Sequence, residues 1–211
     1  MTPWRLAFLL FLPACAGAQQ AEPPNGLLLV AKPTLVDPNF RETVVLVTQA
    51  PDASTVGVIL NRPTELKLSR LLPEGMPSEN YRDAVYLGGP VMGQALVALY
   101  RSAETPRAPA FHVLKGVYLS MHPANIGPLL AGTGRHYRLY AGFSGWAPRQ
   151  LESELARDDW YLLPASEELL FRRDTRGMWK ELLERARRGR DRAGGTISLS
   201  RAEGRAILSP R

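Results

Sequence analysis

The stretch Ala141-Gly142-Phe143-Ser144-Gly145-Trp146-Ala147-Pro148-Arg149-Gln150-Leu151-Glu152-Ser153-Glu154 decides how the rest of the chain is arranged. In its first half two glycines flank Phe143 and Ser144, and a tryptophan follows. Glycine serves where the backbone needs φ > 0 or where another group comes close. This half is therefore read as a corner rather than as strand or helix interior. In the second half Pro148 precedes a run from Arg149 to Arg157 that reads as a helix, with Leu151 and Leu155 four apart on one face. A strand enters, the chain turns on glycine, and a helix leaves. Two readings of the corner follow. Either Trp146 anchors a core and the glycines let the corner pack, or glycine-lined backbone and a helix N-terminus offer N–H groups to an anion.

The strand feeding this corner is His136 to Ala141. Upstream, Leu27–Ala31 is a wholly apolar run closed by Lys32-Pro33, and Thr43–Thr48 and Val56–Leu60 are β-branched runs joined through Pro51-Asp52. Val85–Leu87 runs into a second glycine corner, Gly88-Gly89-Pro90-Val91, and Gln94–Tyr100 is the next strand. Phe111–Leu114 and Val117–Ser120 form a hairpin about Lys115-Gly116. Glu65–Leu72 supplies one or two helical turns, and Pro123–Leu130 a short helix ended by glycine. Downstream, Trp160–Leu163 is a last strand and Ser166 caps a helical turn. Asp174 or Thr175 starts a helix to Arg187, in which Trp179, Leu182, Leu183 and Ala186 form one stripe. Strands with short helices between them, and no sustained βαβ period, predict a single α+β domain.

The net charge of +6 has a definite location. Residues 185–211 carry eight arginines against Asp191 and Glu203, so residues 1–184 are neutral. The tail is expected to be a disordered extension, and its run from Arg185 to Arg192 suits an acidic partner or anionic lipid. At the other end Arg5, the apolar run Leu6–Leu12, Pro13 and the small Ala16-Gly17-Ala18 have the arrangement of a secretory signal peptide over residues 1–18. The run is too short to stay as a membrane anchor. Residues 19–25 read as a proline-stiffened linker and 26–184 as the folded domain. Cys15, the single cysteine, lies inside the signal. Leu12-Pro13-Ala14-Cys15 resembles a bacterial lipobox, in which the cysteine becomes the lipidated first residue; cleavage after Ala18 is the other outcome. Either leaves the mature body without a disulfide. The expected location is the periplasm or a membrane tether, and the cytoplasm if the segment is not a signal.

No catalytic set assembles locally. His112, His122 and His136 lie on or beside separate elements without metal-ligand spacing, so neither metal nor cofactor is expected. Gly142-Phe143-Ser144-Gly145-Trp146 departs from a hydrolase nucleophile elbow, which needs glycine where Trp146 stands. No phosphate-binding P-loop or dinucleotide fingerprint follows a strand. Gly88-Gly89-Pro90 is a candidate anion-binding nest or a tight structural turn.

Five motifs occur in an order that resembles the bacterial YqgE/AlgH family. They are Gly26-Leu27-Leu28-Leu29-Val30-Ala31-Lys32-Pro33, Phe40-Arg41-Glu42-Thr43-Val44-Val45, Gly57-Val58-Ile59-Leu60-Asn61-Arg62-Pro63, Gly88-Gly89-Pro90-Val91, and Gly142-Phe143-Ser144-Gly145-Trp146 with Gln150-Leu151-Glu152-Ser153-Glu154. The resemblance runs from about Asn25 to Leu183. It implies an α+β fold with a bifurcated, barrel-like, mixed or antiparallel sheet. It implies no activity and no catalytic residues, although one branch is described as a regulator of alginate production. Typical members of the family begin near the position of Asn25 and are cytoplasmic, so this chain departs from them at both ends.

The leading expectation is a non-enzymatic binding or accessory protein of the bacterial envelope. Its candidate contacts with a protein or small anionic ligand are Asn61, Arg62, Gly88, Gly89, Pro90, Gly142, Ser144, Gly145, Trp146 and Gln150. The alternatives are a cytoplasmic nucleic-acid-associated regulator, for which nucleic acid is the partner, and a hydrolase using Ser144.

Overall fold

The apolar and β-branched runs form strands, and most pair with their sequence neighbours. In a computed structural model of the protein, which describes residues 25–72, 81–132, 136–193, 198–202 and 205–209, these are β1 (Leu27–Ala31), β2 (Val44–Gln49), β3 (Thr55–Ile59), β4 (Tyr86–Leu87), β5 (Val91–Arg101), β6 (Phe111–Leu114), β7 (Val117–Ser120), β8 (Tyr137–Trp146) and β9 (Trp160–Pro164). The signal segment, Cys15 and all of the linker except Asn25 lie outside the described residues. Helices α1 (Pro123–Ala131), α2 (Gln150–Ala156), α3 (Glu167–Leu170) and α4 (Met178–Ala193) lie between and after the strands. The strand order is β6-β7-β5-β8-β3-β2-β1-β9, antiparallel throughout, with β4 added parallel to β8. The result is an α+β domain with a bifurcated sheet.

β8 is the point of bifurcation. Its first half, Tyr137 to Ala141, pairs with β5, while Ser144 to Trp146 pair with β3. Gly142 lies between the halves at φ +68°. The sequence reading of a corner that ends the strand is corrected here. The strand runs through Gly142 and Gly145 to Trp146, because one left-handed glycine bends it enough to change partners. On β5, residues 92–95 bulge out opposite that single glycine, since Val91 pairs with Phe143 and Leu96 with Ala141.

Side-chain alternation then sorts the core into three parts. Leu28, Val30, Val44, Leu46, Val58, Val97, Leu99 and Tyr140 face a shared interior. The intervening Leu29, Ala31, Val45, Val47 and Ile59 point the other way and are covered with Leu151 of α2, Trp146 and Trp160. Ala98, Tyr100, Leu139 and Ala141 are likewise covered by Ile126, Leu129 and Leu130 of α1. The interior becomes barrel-like because the Gly26 amide donates to the Val113 carbonyl of β6 at 2.9 Å, bringing the start of β1 to the far edge strand. Leu169, Leu170, Met178, Leu182 and Leu183 of α3 and α4 join this same interior.

Arg138 and Tyr140 bring polar groups into it. Arg138 is 6% exposed, stacks its guanidinium 4.5 Å from the Tyr86 ring centre and donates to the Arg172 carbonyl. Burial pushes the neighbouring Tyr140 phenol up to about 12.

α4 runs to Ala193, beyond the Arg187 expected, and the antiparallel pair β10 (Ser198–Ala202) and β11 (Arg205–Ser209) follows it. The expectation of a disordered extension is corrected for residues 185–193, which continue the helix. A helix already nucleated on buried Met178, Leu182, Leu183 and Ala186 needs only propagation to continue, and arginine is a good helix former. Arg190 fastens this end to Asp158, which also pairs with buried Lys32.

Candidate functional site

The two glycine corners meet. The Gly88 amide donates to Ala141 O at 2.9 Å, Ser144 Oγ donates to Gly88 O at 3.0 Å, and the Ile59 amide donates to the same carbonyl at 3.0 Å. A Cβ on Gly88 would collide with the Gly142 carbonyl oxygen, and one on Gly89 with the Ser144 hydroxyl. Gly88, Gly89, Gly142 and Ser144 are buried, whereas Pro90 and Gly145 are exposed. The corners are thus a packed backbone joint at which β3, β4 and β8 converge. The Gly88 amide, a candidate donor to an anion, is already bonded within the sheet.

Asn61 and Arg62 leave this joint at the end of β3, where Arg62 O accepts from the Leu87 amide at 2.8 Å. Asn61 Oδ1 accepts from the Val44 amide at 2.8 Å and its Nδ2 donates to Glu42 O at 2.9 Å. Arg62 Nη1 donates to Asn39 O at 2.6 Å, and its Nη2 donates to Arg41 O at 3.0 Å. Both side chains therefore shape the loop before β2, in which Glu42 is held at φ +56°. Arg41, Glu42, Asn61 and Arg62 line an open cleft of about 500 Å³. Burial, and secondarily the like charge of Arg41, depress the pKa of Arg62 below its ordinary value. A cleft with two arginines and one carboxylate favours an anionic or hydrogen-bonding occupant. Asn61→Ala removes both loop bonds and strands the buried Val44 amide. It is expected to cost about 2 kcal/mol, measured as the shift in urea unfolding.

Trp146 and Gln150 belong to a different arrangement, outside β1–β3. Trp146 is 3% exposed, and its indole ring lies 5.6 Å from Phe40 and 6.4 Å from Trp160. Both indole N–H groups donate to Glu154 Oε2 at 2.9 Å, and Gln150 Nε2 donates to Glu154 Oε1 at 3.1 Å. Gln150 Oε1 in turn accepts from the Ala147 amide at 3.1 Å. The motif from Trp146 to Glu154 is thus a carboxylate-centred clamp holding α2 on the sheet. Arg149, at the N-cap of α2, has φ +67° and no side-chain capping bond.

The hydrolase reading does not gain a base from this geometry. Ser144 is fully buried and its hydroxyl is bonded to Gly88 O. His112 stacks on Tyr118 at 4.9 Å, His122 caps α1 by accepting from the Ala124 amide, and His136 is exposed beside Tyr137. Among the described residues, no group of three or more His, Cys, Asp or Glu side chains is placed to hold a metal ion.

The fold and the motif positions correspond to known proteins. A family model described as AlgH-like matches residues 28–189. The chain belongs to the AlgH-like family. A UPF0301 protein of Thermobifida fusca is 36% identical over 170 residues, covering 76% of this chain and 86% of that protein. One from Myxococcus xanthus is 35% identical, covering 74% of this chain and 87% of the relative. The solution structure of the AlgH protein from Pseudomonas aeruginosa superposes with a TM-score of 0.60 at 27% identity, covering 84% of this chain and 93% of the other. A crystal structure of a Corynebacterium diphtheriae protein has the same TM-score and identity, covering 78% and 87%. The AlgH-like match begins at residue 28, after the apolar N-terminal run and the linker.

Arg41, Glu42 and Glu154 were missed by sequence reasoning as site or clamp residues. For Glu154 a signal existed: Gln150 and Glu154 are four apart on one helix, which allows a side-chain bond. For Arg41 and Glu42 the signal was the pair of runs joined through Pro51-Asp52, since antiparallel pairing of β2 with β3 brings the residues before the first beside those after the second.

Proposed function

We propose that this AlgH-like protein is a non-enzymatic binding or accessory protein of the bacterial envelope, with its ligand contact at the Arg41–Arg62 cleft. The observation carrying the proposal is that cleft, where two arginines line one open surface beside Asn61. The hydroxyl expected of a nucleophile, by contrast, is buried and bonded to backbone. The envelope part rests on the N-terminal sequence: Arg5, the apolar run to Leu12 and the small residues before Gln19.

Two measurements test it. Fractionation of C-terminally tagged protein, with N-terminal sequencing, is expected to find a chain shortened to begin at Cys15 or Gln19 outside the cytosol. Intact chain in the cytosol would reject the envelope assignment and restore the regulator reading. For the cleft, inorganic phosphate serves as a probe. Saturating phosphate is expected to raise the thermal midpoint of the wild type by a few degrees and to leave Arg41→Ala unmoved. Equal shifts in both proteins would remove the cleft as the contact.

A further inference from the structure

We infer that the exposed flank of α4 carrying Arg185 and Arg188 is a docking surface for an anionic lipid bilayer. The inference rests on the envelope reading above and specifies which face meets the membrane. Its basis is the order of the arginine run: these side chains stand on the flank of a helix whose adjoining stripe, Met178, Leu182, Leu183 and Ala186, is buried in the domain. Position 185 and position 188 are one turn apart on the same flank, and position 192 repeats the register. Both arginines are exposed, and neither forms an ion pair among the described residues.

Two of the helix's own acids are already engaged. Glu181 holds Arg172 and Glu184 holds Arg187, at 2.6 and 3.2 Å. Asp158 is shared by Lys32 and Arg190, which leaves that cluster with excess positive charge. Residues 185–193 carry five arginines against Asp191, on a domain otherwise neutral. Fixing the charges on a packed helix gives them one orientation, so they can meet a plane of headgroups together.

A bilayer suits this surface better than a protein partner because the chain brings a second membrane signal. A lipid on Cys15 would keep the body beside a bilayer, and a basic patch on a tethered body adds to its attachment. The ten residues from Cys15 to Asn25 would reach at most about 35 Å if extended. Trp179 of α4 donates to the Ala31 carbonyl of β1, the strand that begins just after Asn25, so the helix packs on the part of the domain that the linker enters.

The test uses the full chain and vesicles of phosphatidylcholine with or without phosphatidylglycerol. Each basic residue at an anionic surface strengthens binding by about fivefold, so Arg185→Ala with Arg188→Ala is expected to weaken binding to the anionic vesicles at least tenfold. Binding should also fall with salt, and the thermal midpoint of the double variant should match the wild type. Equal binding to vesicles with and without phosphatidylglycerol would overturn the inference. So would an unchanged double variant, or tighter arginine-dependent binding to duplex DNA than to the vesicles. Fractionation separates this from the envelope reading. A cytosolic chain that still needs Arg185 and Arg188 for anionic vesicles would remove that reading alone, whereas an exported chain indifferent to both substitutions would remove the docking surface alone.

Discussion

Gly88→Ala is expected to lower the unfolding free energy by about 4 kcal/mol or more, or to prevent folding. The added methyl group would be driven into the Gly142 carbonyl oxygen, with the carbonyl carbon only 3.0 Å away and Tyr140 Cβ at 3.1 Å. None of these is the movable end of a side chain. Relief requires shifting β8, and β8 is hydrogen-bonded to β3 on one side and β5 on the other. Gly93→Ala supplies the control, since nothing lies within 4 Å of its added carbon. It is expected to change stability by no more than about 0.5 kcal/mol. Chemical denaturation of the two variants reads the difference. A loss below about 1 kcal/mol for Gly88→Ala would mean that the joint yields and the close approach does not constrain the fold.

Trp146→Ala comes next in size, at about 3–5 kcal/mol. The substitution removes a side chain 3% exposed from a cluster with Phe40, Trp160 and Leu151, and it deprives Glu154 of one of its donors. The two contributions can be separated. Trp146→Phe retains a ring and loses the N–H, so it is expected to cost about half as much, most of it from the lost charge-assisted bond and the smaller ring. Glu154→Gln keeps the acceptor for one indole while removing the charge. Near-neutral stability for Trp146→Ala would place the tryptophan at a working surface and remove the clamp interpretation.

Much of this architecture was legible from periodicity and punctuation. Leu27–Ala31 and the hairpin at Lys115-Gly116 were found within their bounds because short apolar runs flanked by proline or glycine have few alternatives. The reading failed at Gly142, where two glycines beside a tryptophan suggested a stop. A strand that changes partners needs the same residue as a strand that ends, and local sequence does not separate the two cases. It also ended α4 at Arg187, because the apolar stripe fades after Ala186 while the backbone helix continues without it. Of the candidate site, Gly88, Gly142 and Ser144 were named together as candidate contacts, and they do converge. The cleft beside Asn61 and Arg62 was not foreseen, although the two runs joined through Pro51-Asp52 pair as β2 and β3 and so bring Arg41 and Glu42 to it.

The sharing of β8 by two groups of strands has a consequence for how the domain opens. A rung common to both ladders leaves neither group a complete set of backbone partners when the other is lost. Melting of β3 would remove the partners of Ser144 to Trp146 and melting of β5 those of Tyr137 to Ala141, so neither can be lost without loosening the strand that holds the other. Amide exchange along β8 should therefore report a single global event rather than two staggered ones, and neither half of the domain should persist when cut away from the other.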